Sequence, residues 1–359
     1  ALSSLQRHVN IPTQGKWDQR RIHTTTLGMA AERQSSHSIQ HLATNIPTET
    51  PYWNHLGKLD MDELEQINQN LLMQPILDFI PRDRPIKAAI DETFDPYYGE
   101  TTAVNEGYVV GGPIKKSTTD FYGYITLYLM LKDWKVTLSV LPIKKNVSKL
   151  EYIERMLGIL KELGFEIEVL LMDRGFFDKT IFKHLMGNGI PHICPVRDHG
   201  KKLKSLLAVK RSRYEPYTIS KQKDPLPVNI AIWASNLNGT GGHRGRRIYG
   251  YVVYGVDWSP KKVARVYRTR FGIESSYRMR NIVRIKTCTK SPVIRYYFFL
   301  VSMLLKNVWV VLRYRFFPQV RRGPRRVDGD RFRFDQFRIW IWQAFCRKVG
   351  FKRTEVLVG

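Results

Sequence analysis

The chain has 359 residues, with 58 Lys+Arg against 32 Asp+Glu and a formal net charge of +26. Apolar residues make up 43% and aromatics 12%, which excludes a disordered or low-complexity protein. Cys194, Cys288 and Cys346 lie far apart with no CxxC pair, which argues against a disulfide framework or zinc finger and for a reducing compartment.

Residues 1–37 lack the apolar core of a secretory signal. Residues 1–50 are rich in Ser, Thr, Gln and His and show little periodicity, so they read as partly disordered or as a small helical head. Apolar spacing predicts a helix over 59–80, ended by Pro81 and Pro85. Strands are predicted over 86–90, ending in Asp91, and over 108–110, 122–131 and 134–141. An amphipathic helix over 147–163 stops at Gly164. A continuous apolar strand over 167–172 ends in Asp173 and lies beside the first strand of a mixed sheet. A helix over 179–186 and a strand over 192–196 follow. Residues 198–257 read as a β-rich insertion, with strands over 214–219, 228–233 and 248–256. Pro260 opens a helix predicted to run to about residue 282. The most apolar stretch, 296–312, is interrupted by Lys306-Asn307 and bracketed by Arg295, Arg313 and Arg315. It falls short of the roughly 20 apolar residues of a spanning helix and reads as a buried core helix.

These elements give an α/β chain. Its predicted units are an N-terminal helical region, 1–80, a core first part, 81–197, a β-rich insertion, 198–257, a core second part, 258–318, and a basic C-terminal tail, 319–359. Charge is unevenly spread: residues 1–200 hold 22 basic and 24 acidic side chains, a net of −2, and residues 201–359 hold 36 and 8, a net of +28. That excess calls for a polyanion partner, because Lys and Arg neutralise phosphates and release counterions. Basic and aromatic residues are interleaved in Tyr267-Arg-Thr-Arg270-Phe271 and Arg331-Phe-Arg-Phe334, a pattern that suits phosphate contact and base stacking.

Asp91, Asp173 and Glu274 would together make a hard oxygen site for Mg²⁺ or Mn²⁺. Two such ions could clamp the attacking and leaving oxygens of a phosphoryl displacement. Singly, each acid has a plainer role. Asp173-Arg-Gly175 reads as a turn, Glu274 pairs in principle with Arg270 or Arg278 at helical spacing, and Asp95 shares a strand face with Asp91.

Three motifs carry a resemblance. Tyr267-x2-Arg270-x3-Glu274 resembles the C-terminal signature of the insertion-sequence-4-type DDE transposases. Leu170-Leu-Met-Asp173-Arg-Gly-Phe176 resembles that family's second-aspartate motif, and Ala89-Ile-Asp91-Glu-Thr93 its first. Asp95-Pro-Tyr-Tyr-Gly99 is similar to archaeal members. The resemblance covers about residues 86–310. It departs where the family carries Lys, seven residues after Glu; here Asn281 stands there, with Arg280 and Arg284 as replacements.

The resemblance implies a ribonuclease-H-like core split by the insertion. It implies nicking at terminal inverted repeats and joining of 3′-hydroxyls to double-stranded target DNA. Asp91, Asp173 and Glu274 would be catalytic and hold two Mg²⁺ or Mn²⁺ ions. Tyr267, Arg270 and Arg280 would contact DNA. Trp233 is the candidate for stacking on an unpaired base, with a core role on its strand as the plainer alternative, and Arg244, Arg246 and Arg247 for clamping the backbone. A homodimer in the DNA complex and a prokaryotic, nucleoid-associated cytoplasmic location follow from the same resemblance. The alternatives are a ribonuclease-H-like nuclease without strand transfer and a catalytically dead DNA-binding derivative.

Overall fold

The computed structural model describes residues 1–115, 117–131, 134–197, 201–219, 224–237, 245–319 and 327–352. The N-terminal region is helical: α1 (Leu2–His8), α2 (Gln19–Glu32), α3 (Ser36–Leu42), α4 (Glu49–Leu56) and α5 (Met61–Met73), the last followed by a 3-10 turn over Gln74–Phe79. Residues 1–50 are thus more ordered than their composition suggests. In α2, Thr24, Thr25 and Thr26 are buried because their hydroxyls donate to the carbonyls of Arg20, Arg21 and Ile22, four residues back. Polar side chains that bond their own helix lose little on burial and leave no apolar periodicity to detect.

The sheet begins with β1 (Ile86–Pro96), β2 (Val109–Lys115), β3 (Thr118–Met130) and β4 (Lys135–Pro142), all linked by antiparallel pairing. Next come α6 (Lys149–Glu162), β5 (Ile167–Met172), α7 (Lys179–Gly187) and β6 (His192–Pro195). Here β5 pairs parallel with β1, and β6 parallel with β5. The core order β4-β3-β1-β5-β6, an antiparallel meander extended by two parallel strands reached through helices, is ribonuclease-H-like. Strand β1 runs five residues past Asp91. Only its pairing with β5 stops there, at Ile90–Met172, so Asp91 lies within the strand rather than at its end.

The insertion opens with α8 (Lys201–Leu207), unforeseen in a stretch read as β. It continues with β7 (Arg213–Ile219), β8 (Leu226–Leu237) and β9 (Gly245–Tyr254). Strand β9 pairs antiparallel with β6, so the insertion prolongs the core sheet to nine strands among the described residues.

The single helix predicted after Pro260 is broken. It comprises α9 (Pro260–Arg268), a 3-10 turn over Thr269–Phe271, and α10 (Gly272–Ile282). The tighter turn changes the phase of the helix and carries Arg270 into the interior, 6% exposed. Helix α11 (Pro292–Phe316) is long and apolar enough to cross a membrane, but 83% of its most apolar window is buried inside the protein. Its two polar interruptions are structural. Asn307 donates to the carbonyls of Leu72 and Thr137 and accepts from the Thr137 amide, tying α11 to β4. Lys306 donates to the Lys135 carbonyl, and burial pushes its amine down to about 7. Helix α12 (Phe334–Val349) lies in the predicted C-terminal tail, yet it packs on α2. Gly28 permits this approach, since a Cβ there would stand 2.6 Å from the Phe345 ring.

Candidate active site

Strands β1 and β5 bring Asp91 and Asp173 side by side, each directly after the last residue of the β1–β5 pairing. The Arg270 guanidinium binds both, with Nη2 2.8 Å from Asp173 Oδ1 and 3.4 Å from Asp91 Oδ1. Asp91 is 5% exposed, whereas the Asp173 side chain is half exposed. Burial pushes the Asp91 carboxyl up to about 7 against the pull of Arg270, and the charge of Asp173 adds to the rise. The local pair is thus two carboxylates sharing one cation. Arg270 is held above its ordinary value by Asp91 and Asp173, although burial opposes this, and its buried Nε has no acceptor.

Glu274 sits one helical turn after Arg270, exposed, and lines the same cavity of about 480 Å³ as Asp173, Arg174, Tyr267, Arg268 and Arg270. Among the described residues, no three His, Cys, Asp or Glu side chains are grouped to hold an ion together. The donors nonetheless suit a hard divalent cation in kind: all are carboxylates, and Asp91 and Asp173 already share a single cation, Arg270. Helix α10 is fixed to the strands beside this pair. The Tyr277 hydroxyl lies 2.6 Å from Thr126 Oγ1, which donates to the Asp91 carbonyl.

Lys149 escaped the sequence reading, because a lone Lys at a helix start carries no signal. The Ser148–Glu151 capping box sets the first turn of α6 and so places Lys149. Its Nζ donates to Glu92 Oε2 at 2.7 Å and to the Gly175 carbonyl at 3.1 Å, joining the residue after Asp91 to the turn after Asp173. Lys149→Met should cost at most about 1 kcal/mol of stability, as the pair is partly exposed. Because small displacements of reacting groups are costly, it should slow DNA cleavage about ten- to a hundredfold with DNA affinity unchanged. An unaltered cleavage rate in a single-turnover assay would contradict this positioning role.

The expected DNA contacts are differently placed. Arg280 is 3% exposed and faces inward, where its Nη1 donates to Asp95 Oδ1 at 2.7 Å and Nη2 to Asp95 Oδ2. The structure therefore buries Arg280 with an acid and does not present it to solvent; the helical phase set by the Thr269–Phe271 turn puts Arg280 on the face toward β1. Burial would raise the Asp95 carboxyl, but Arg280 and Arg284 hold it below its usual range. Arg270 is likewise turned to carboxylates rather than outward. Tyr267 is 8% exposed, with its ring 5.0 Å from that of Tyr251, at the cavity wall.

Trp233 is half-buried on β8, stacked on Tyr249 at 5.5 Å, with the Arg268 guanidinium 4.5 Å above its ring. It therefore joins the insertion to α9 next to the cavity. Arg247 is exposed on β9. Arg244 and the side chain of Arg246 lie outside the described residues.

A search of curated proteins found no match. Among solved structures, the chain is similar to the piggyBac transposase in a synaptic complex with hairpin DNA, at 12% identity and a TM-score of 0.58, over 96% of this chain and 76% of that one. A further match is to the Drosophila P element transposase in a strand transfer complex, at 12% identity and a TM-score of 0.29, over 53% of this chain and 42% of that one. The model of the transposase DDE domain matches residues 83–291, a span that takes in β1, β5 and α10 with Asp91, Asp173 and Glu274, and on that match the protein belongs to the transposase DDE-domain family.

Proposed function

We propose that the protein is a DNA transposase of the insertion-sequence-4 type, which cuts the phosphodiester backbone at the ends of its element and joins the freed 3′-hydroxyls to target DNA. The observation that carries this reading is the convergence of Asp91 and Asp173 on Arg270, with Glu274 on the same cavity wall. The net +28 of residues 201–359 supports a DNA partner, as does the fold shared with a transposase seen bound to DNA. A prokaryotic, nucleoid-associated setting, archaeal kinship and a homodimer that holds two ends belong to the same proposal.

Asp91, Asp173 and Glu274 are the residues that would hold divalent ions, Mg²⁺ or Mn²⁺. Such ions, when bound, supply Lewis-acid stabilisation of the attacking and leaving oxygens. The chain's own part is to position and neutralise. Arg270 keeps the two aspartates together before the ions arrive, and Lys149 steadies the turn behind Asp173. Arg268, exposed at the cavity mouth, and Arg247, exposed on β9, meet the DNA backbone. Trp233, beside Arg268, offers a flat ring where an unpaired base would lie. Phosphoryl transfer needs such positioning and charge neutralisation more than a protein nucleophile.

The Asp91 carboxyl, pushed up to about 7, must lose its proton before it binds an ion. Below that value, apparent Mn²⁺ affinity should rise roughly tenfold per pH unit and then level off above it. Calorimetric titration with Mn²⁺ across this range checks the point, and an affinity independent of pH would place the ion away from Asp91. The function itself is tested by incubating the full chain with Mn²⁺, DNA carrying the element's own ends, and a target plasmid. Joined products are expected. Cleavage without joining would indicate a nuclease, and DNA binding alone a dead derivative.

A further inference from the structure

A second charged cavity lies at the other end of α10 from the carboxylates. It has a volume of about 370 Å³, and its wall includes Arg33, Arg280, Arg284, Lys286 and Arg295, with Asp95 as the one acid. Five cations thus face a single carboxylate, which is held by Arg280 in a two-pronged pair and by Arg284 at 3.5 Å. The wall is assembled from distant parts of the chain: the end of α2, β1, the segment after α10 and the first turn of α11.

Three features show a built site rather than a solvated basic face. First, Arg280 is 3% exposed, and its buried Nε has no hydrogen-bond partner among the described residues. A buried donor of this kind is able to take an oxygen of an anion. Second, Arg295 is held in place. Its Nε donates to the Thr289 carbonyl at 2.7 Å, and its guanidinium lies 4.7 Å from the Tyr122 ring and 5.2 Å from the Tyr97 ring. A guanidinium fixed in this way loses little further freedom when it binds a phosphate. Third, Arg33 caps α2 in the left-handed conformation, at φ 55°. Glycine is the residue that suits this position, yet an arginine stands there and sends its side chain to the cavity wall. Burial, together with Arg280 and Arg295, also depresses Arg284, although Asp95 opposes this, as expected where positive charge is in excess.

We propose that this cavity binds a phosphate group, at a site separate from the carboxylates of the candidate active site. Planar guanidiniums approaching from several sides match the tetrahedral oxygens of phosphate. The group can come from the backbone of bound DNA or from a free phosphate compound. The proposal stands on the cavity itself; only its DNA arm rests on the function proposed above.

The test uses the full chain and pyrophosphate at constant ionic strength, with chloride as the balancing anion. Calorimetry should show saturable binding to the wild-type protein. Two variants separate binding from folding. Arg33→Gly removes a cation while easing the left-handed cap, so its thermal stability should hold or rise as pyrophosphate affinity falls about tenfold. Arg284→Gln should weaken binding similarly; it gives up the 3.5 Å contact with Asp95 but keeps the two-pronged bond from Arg280 to that carboxylate. DNA affinity is then measured against salt for each protein by fluorescence anisotropy. If both variants lose pyrophosphate binding and the slope of log affinity against log salt shrinks by about 0.9, the site holds a backbone phosphate. If pyrophosphate binding is lost and the DNA slope is unchanged, the site takes a free phosphate compound. Absence of saturable pyrophosphate binding to the wild type, or equal affinity in both variants, overturns the proposal. None of these readouts depends on strand transfer, so failure of the proposed function would be seen separately.

Discussion

Asp173→Asn should abolish DNA cleavage and leave DNA binding intact. The side chain is half exposed, so the change disturbs little packing, and Arg270 keeps its contact with Asp91. On the proposed function, loss of one carboxylate that would hold the ions removes several kcal/mol of transition-state stabilisation, a fall of about a thousandfold or more in rate. Removing a negative charge from the cavity should, if anything, strengthen the hold on DNA. Single-turnover cleavage and anisotropy on the same preparation check both halves. Equal loss of cleavage and binding would mean that Asp173 shapes the fold around Arg270 rather than holding an ion.

Asp95→Ala should be among the most destabilising single changes in the protein. It would leave Arg280 buried with no counter-charge, and breaking a buried pair from one side costs about 3–5 kcal/mol. That is a large part of a typical domain's stability of about 5–15 kcal/mol. The double change Asp95→Leu with Arg280→Met should recover most of the loss, because the desolvation of both charges is removed together. Urea unfolding of the two variants measures the difference. A loss under about 1 kcal/mol in Asp95→Ala would show that water reaches the pair.

The elements that hold the aspartates were legible because their physics is local. The apolar run 169–172 forms the buried half of a strand, and the acid directly after it lies at that strand's carboxyl end. Two successive strands joined through a helix become parallel neighbours, as β5 and β6 do through α7. Glu274 was singled out through the resemblance carried by Tyr267, Arg270 and Glu274, and the structure places it on the cavity wall with Asp173 and Arg270. What stayed hidden depends on contacts between distant residues. Nothing near Arg280 in the chain says that it will meet Asp95, 185 residues away, instead of DNA. Lys149 meets Glu92 and Gly175 only because α6 starts beside both strand ends. The helical N-terminal region was obscured by threonines that bury themselves through their own helix, and α12 by the basic residues around an aromatic stripe that packs on α2. The 3-10 turn at Thr269–Phe271, which contains the buried Arg270, left no mark in the apolar spacing.

The most direct measurement is the structure of the protein with Mn²⁺, located by its anomalous scattering. The account predicts one or two ions, about 4 Å apart when both are present. Asp91 and Asp173 should coordinate them, Glu274 should close the set, and the Arg270 guanidinium should withdraw from the aspartates. Ions bound elsewhere, with Arg270 still joining Asp91 to Asp173 and Glu274 still facing solvent, would contradict the assignment of these three carboxylates as the catalytic centre.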